Sequence, residues 1–225
     1  MVTRVVLDTN AILDIFEGAT TEQISYIRRA RRLGIRPQTG RTGRFSRTAL
    51  ENNGVSFRRD FLPSTTGRRF LKASGLTPGS TLRVVVSLPL QVVEEFQRVV
   101  QRHYAAAGLP AVEAENFVRE ALSLLLFDTF GTVDPRSREE AFVTQVEANC
   151  REAGRGDRDE LFAWNRRDLG RVDEAAILLA VLDRDMDAVL VTADAKASAR
   201  AFVRGAAAFT INELCEELEN SSFAA

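Results

Sequence analysis

Three short apolar runs, each followed by a helix-forming stretch, constrain this chain more than any other feature. RVVLD at 4–8, LRVVVSL at 82–88 and AVLVT at 188–192 are rich in β-branched residues and show no polar alternation. That pattern belongs to strands covered by helices on both faces. Thr9 or Asn10 can cap a helix that carries Ile12, Leu13 and Phe16 on one side and stops near Gly18. Pro89 suits the first turn of a helix carrying Val92, Val93, Phe96, Val99 and Val100. Helical spacing recurs at 21–33, 111–127, 138–151, 158–166, 173–183, 195–203 and 212–218, with a further short strand at 207–210. Strands alternating with helices predict an α/β fold with a central parallel sheet.

One stretch breaks the rhythm. Residues 34–81 hold seven glycines and three prolines and read as a loop-like insertion, with short helices near 46–52 and 66–74. At 225 residues the chain is read as one domain, residues 1–225, with this insertion at 34–81 and an additional helical region at 110–168. The net charge of −1 conceals an asymmetry. From Arg28 to Arg83 there are 14 basic residues against two acidic ones (Glu51 and Asp60), and the rest of the chain carries 16 against 29. A basic segment on an acidic body points to a polyanionic partner held near a carboxylate-rich site. The start, MVTRVVLDTN, lacks the apolar run of a signal peptide, and no stretch approaches the roughly 18 apolar residues of a membrane helix, so a cytoplasmic protein is expected. Cys150 and Cys215 sit in no paired motif, so neither a disulfide framework nor a zinc site is indicated, and a serine-histidine-aspartate triad would depend wholly on the single histidine, His103.

The topology gives the acidic residues their meaning. In a parallel α/β sheet every strand ends at one edge, and each following helix begins there. Asp8 ends the first strand, and Asp194 lies two residues beyond Thr192. Glu95 is about two turns into the helix after the second strand, and Asp173 opens its own helix. Four acids from distant positions therefore converge on one edge, where mutual repulsion calls for a compensating cation. All-oxygen ligands select Mg²⁺ or Mn²⁺ over zinc. Such a site suits phosphodiester hydrolysis, with one metal activating water and a second, at ~3.5–4 Å, stabilising the leaving oxygen.

VVLDTNAILDIFE, VVVSLPLQVVEEF, VDEAAILLAVL and AVLVTADAKA resemble, in order, the motifs of PIN-domain nucleases. The first and last carry most of the likeness, a strand ending in Asp-Thr-Asn and a strand ending in Thr-x-Asp. The resemblance covers about residues 1–33, 82–107 and 170–218. It implies a PIN-like three-layer α/β/α domain and a metal-dependent endoribonuclease using Mg²⁺ or Mn²⁺. Asp8, Glu95, Asp173 and Asp194 would be the catalytic and metal-binding quartet, with Asn10 and Thr192 as polar supports. Glu94 beside Glu95 and Glu174 beside Asp173 are the competing choices; Phe96 favours Glu95, since family members usually place an apolar residue after that acid. Many members carry a further acid where this chain has Lys196, which leaves one or two metals open.

Two roles fit the resemblance: a toxin nuclease with an antitoxin partner, and an RNA-processing nuclease of the protein-only RNase P type that trims tRNA 5′ ends. A non-catalytic RNA-binding protein that retains the fold is the alternative from another class. A homodimer is compatible with either. In the insertion, Arg41, Arg44, Arg58, Arg59, Arg68 and Arg69 are the candidate RNA contacts. Phe45, Phe57, Phe61 and Phe70 are interleaved with them, either to stack bases or to anchor the segment to the core.

Overall fold

The computed structural model describes residues 3–16, 63–106, 115, 119, 127–131, 133–155 and 170–221. The helices expected at 21–33 and 158–166, nearly all of that at 111–127, and the insertion as far as residue 62 lie outside the described residues. Strand β1 (Thr3–Leu7) is followed by helix α1, residues 9–16, and helix α2 (Thr65–Ala73) precedes β2 (Val84–Ser87). Then come α3 (Leu90–Ala106), α4 (Glu140–Arg155) and α5 (Arg171–Leu182), β3 (Val189–Val191), α6 (Ala195–Val203), β4 (Ala207–Phe209) and α7 (Ile211–Ser221). Among the described residues no helix is long and apolar enough to cross a membrane.

The four strands form one parallel sheet in the order β2-β1-β3-β4, which bears out the expected α/β class. Val5 faces Val86 on one side and Val189 on the other. Central β1 is thus enclosed by two strands, and Val5, Val6 and Leu7 are fully buried, as an uninterrupted apolar run requires. The ladder reaches one residue past the strand ends: Asp8 N donates to Val191 O at 3.0 Å, and Thr192 N donates to Phe209 O at 3.0 Å. Asp8 and Thr192 therefore take their backbone positions from the sheet itself. The chain leaves β1 toward β2 but leaves β3 toward β4, the opposite direction. Between β1 and β3 lies the point where the winding reverses, and the carboxyl ends of strands at such a point form a crevice.

The helices are packed by type. α5 lies against β1, β3, α3, α4 and α6, and its residues from Glu174 to Ala180 are all buried. Six of those seven residues are apolar, as a helix enclosed by its neighbours requires, and Glu174 is the exception. α2 packs on α7, where Arg69 donates to both Glu219 oxygens at 3.0 and 2.7 Å. Phe70 of α2 is fully buried, with its ring centroid 6.4 Å from that of Phe130. Toward the amino-terminal edge of the sheet, buried Asp183 accepts from Arg4 at 2.8 Å and from Arg136 at 2.7 Å through each oxygen.

The start of α2 is bound to α1. Ser64 caps α2 by accepting from Gly67 N at 2.9 Å, while its own N–H donates to Ile15 O at 2.8 Å and its hydroxyl to Asp14 O at 2.6 Å. Ile15 and Ser64 thus meet about 10 Å along α1 from Asp8 by helical rise. Gly67 permits this approach, because a Cβ there would collide with the Ile15 carbonyl, the same oxygen that Ser64 uses. Gly67→Ala is expected to destabilise the protein by about 1–3 kcal/mol, read as a lowered denaturant midpoint; an unchanged midpoint would show that α2 is not pinned to α1.

Candidate active site at the carboxyl ends of β1 and β3

Asp8 stands at the winding reversal with only 2% of its surface exposed. Its Oδ1 accepts from Thr9 N at 2.6 Å and its Oδ2 from the Thr192 hydroxyl at 2.9 Å. The Thr192 hydroxyl oxygen also accepts from Asp194 N at 3.0 Å, so one side chain sets both acids relative to β3. Asp194 caps α6, its Oδ1 accepting from Lys196 N at 2.7 Å and Ala197 N at 3.2 Å. Across the crevice the Thr9 hydroxyl donates to Glu95 Oε2 at 2.7 Å. Asp173, in the first turn of α5, accepts through Oδ2 from Gly170 N at 2.8 Å.

The electrostatics join these four into one group. Burial pushes the Asp173 carboxyl up to about 7, and the charges of Asp8, Asp194 and Glu95 add to it against the Gly170 hydrogen bond. The Asp8 carboxyl is likewise raised, first by burial and further by Glu95 and Asp194, although the Thr192 and Thr9 hydrogen bonds oppose this. The chain treats its other buried acids differently. Glu174 and Asp183 are each met by two arginines, whereas among the described residues no basic side chain pairs with Asp8.

Each pair of neighbouring acids is divided by its surroundings. Glu94 is exposed, while Glu95 reaches Thr9. Glu174 turns away into α6, accepting from Arg204 at 2.7 Å and facing Arg200 at 3.4 Å. Asn10 is exposed, and the neighbouring Thr9 makes the link between Asp8 and Glu95. Thr9, expected from sequence as a helix cap, also bridges the two acids; its sequence signal is a hydroxyl directly after a strand-ending Asp. Of the candidate RNA contacts, Arg68 is exposed and Arg69 is engaged by Glu219; Arg41, Arg44, Arg58 and Arg59 lie outside the described residues. Phe70 is an anchor in the core, and Phe45, Phe57 and Phe61 lie outside the described residues.

The donor chemistry suits a hard divalent cation. Glu95 Oε1, Asp173 Oδ1 and Asp194 Oδ2 accept no hydrogen bond among the described residues, and every donor in the group is oxygen. Burial pushes the Cys215 thiol up to about 11 and raises that of Cys150, so neither competes as a thiolate ligand. Among the described residues no three acidic, histidine or cysteine side chains already converge on a single ion position. No family model, no curated protein and no solved structure matches this chain. The functional reading therefore rests on the chain's own chemistry.

The Asp173 shift has a direct consequence for stability. An acid whose folded pKa lies near 7, against 3.8 for the free group, stabilises the fold below about pH 4, and that contribution is lost as pH rises through 7. In EDTA, Asp173→Asn is expected to melt above wild type at pH 8 and level with it at pH 4. Equal melting temperatures at both pH values would show that Asp173 does not sit in the repulsive group.

Proposed function

We propose that the chain is a divalent-metal-dependent endoribonuclease of the PIN type, hydrolysing RNA phosphodiester bonds at the Asp8, Glu95, Asp173 and Asp194 cluster. The observation that carries this reading is the group of four carboxylates, drawn from four separate segments at the winding reversal of the sheet, in which burial and the charges of the other members raise the proton affinity of Asp173 and Asp8. The helices on α5's side of β1 and β3, and the separate α1, α2 and α7 group, fit the three-layer α/β/α arrangement expected of such a domain. Mg²⁺ or Mn²⁺ bound there would supply Lewis-acid charge to polarise the scissile phosphate and the attacking water.

The residues would divide the work. Asp8, held by Thr192 Oγ1 and Thr9 N, is the anchor that cannot swing out of the crevice. Glu95 is oriented by the Thr9 hydroxyl, and Asp194 by the N–H groups of Lys196 and Ala197 in the first turn of α6. Each keeps its second oxygen without a hydrogen bond among the described residues. Asp173 must release the proton it holds up to about pH 7 before it can join them, so cation affinity is expected to climb with pH through that value. The basic stretch between Arg28 and Arg83 supports a polyanionic substrate, and the family resemblance makes RNA the one proposed.

Cleavage assays on structured RNA, single-stranded RNA and DNA, with Mn²⁺, Mg²⁺ or EDTA, test this. Wild type is expected to cut RNA internally with either metal and not with EDTA. Asp8→Asn should lose at least about a hundredfold in rate. Metal-independent RNA binding with no cutting of any substrate by the folded protein would instead favour a binding protein that retains the fold.

A further inference from the structure

Two of the four acids ride on different helices, and a buried ion pair links those helices. Asp173 lies in the first turn of α5 and Asp194 caps α6. Glu174, the residue after Asp173, is fully buried and carries both of its oxygens to α6 and its end. Oε1 lies 3.4 Å from Arg200 Nε, and Oε2 accepts from Arg204 Nη1 at 2.7 Å. Arg204 is backed from α4 by Asn149, whose amide oxygen, turned toward the guanidinium, accepts from it at 3.0 and 2.8 Å. On α6 the buried side chains are the alanines Ala197 and Ala201, while α5 buries Ala175, Ala176 and Ala180 along with the larger Ile177, Leu178 and Leu179. Alanine surfaces offer shallow ridges and leave the sliding register of two helices weakly defined. A buried carboxylate–guanidinium pair adds little net stability over an apolar contact, but it tolerates only one register.

We infer that Glu174 is a positioning residue: through Arg200 and Arg204 it sets the separation of Asp173 from Asp194, and with it the cation affinity of the cluster. The inference rests on the cation site proposed above. Asp183 supplies the control, because it makes a comparable buried ion pair at the other end of α5, remote from the cluster. Mn²⁺ affinity is measured by electron paramagnetic resonance on wild type, Asp8→Asn, Glu174→Gln, Arg200→Gln and Asp183→Asn, with melting temperatures recorded alongside. Glu174→Gln is expected to weaken Mn²⁺ binding by about tenfold, and Arg200→Gln, which removes one arm at a half-exposed position, by less. Asp183→Asn should lower the melting temperature yet leave affinity within about twofold of wild type. If Glu174→Gln and Arg200→Gln both bind Mn²⁺ like wild type while Asp8→Asn does not, the positioning role is overturned and the site stands. Absence of Mn²⁺ binding by wild type overturns the site, and the positioning role with it. Should Glu174→Gln not fold, Arg200→Gln decides alone: weaker binding than Asp183→Asn supports the role, and equal binding overturns it.

Discussion

Asp8 is a buried carboxylate at the end of the central strand, satisfied by one hydroxyl and one backbone N–H but met by no basic side chain among the described residues. The geometry around it follows from how it is held there. β1 is enclosed on both sides, so the Asp8 backbone is a continuation of the ladder with β3, and Thr192 reaches it from the adjacent strand end. Thr192 in turn orients Asp194, and Thr9 orients Glu95. Two threonines, each adjacent in space to Asp8, thereby assemble three acids from distant parts of the chain.

The two ends of the sheet show opposite solutions to buried charge. Toward the amino-terminal edge, Asp183 is neutralised by Arg4 and Arg136, and the arrangement is complete within the protein. At the carboxyl edge burial, with the charges of Asp8, Asp194 and Glu95 added to it, drives Asp173 up to about 7. Desolvated, uncompensated charge costs stability. A fold that pairs Glu174 and Asp183 with two arginines each has the means to neutralise buried acids. That contrast is what supports the proposal of a cation site at the cluster.

Much of this was legible in the residues, for identifiable reasons. The strands of a parallel sheet have to be apolar on both faces, so VVL, VVV and VLV stood out, and the expected 195–203 helix is observed as Ala195–Val203 because Asp194 caps it. The α2 helix was expected at 66–74 and begins at Thr65, where Ser64 caps it. Strand ends were overrun: the 82–88 run gives only Val84–Ser87, since Leu88 leaves the sheet to bridge Val133. What sequence could not supply was orientation. Adjacent acids on a helix point about 100° apart, so the separation of Glu95 from exposed Glu94, and of Asp173 from the ion-paired Glu174, emerges only when the helices are packed. The same holds for Thr9 and Asn10, of which the first faces the crevice and the second solvent.

The most direct test of the central claim is anomalous diffraction from crystals of the wild-type protein grown or soaked in MnCl₂ at pH 8. A manganese peak is expected in the crevice between the carboxyl ends of β1 and β3, contacted by oxygens of Asp8, Glu95, Asp173 and Asp194. Manganese that binds only elsewhere, or a crevice in which the four carboxylates stay apart with no peak between them, would contradict it.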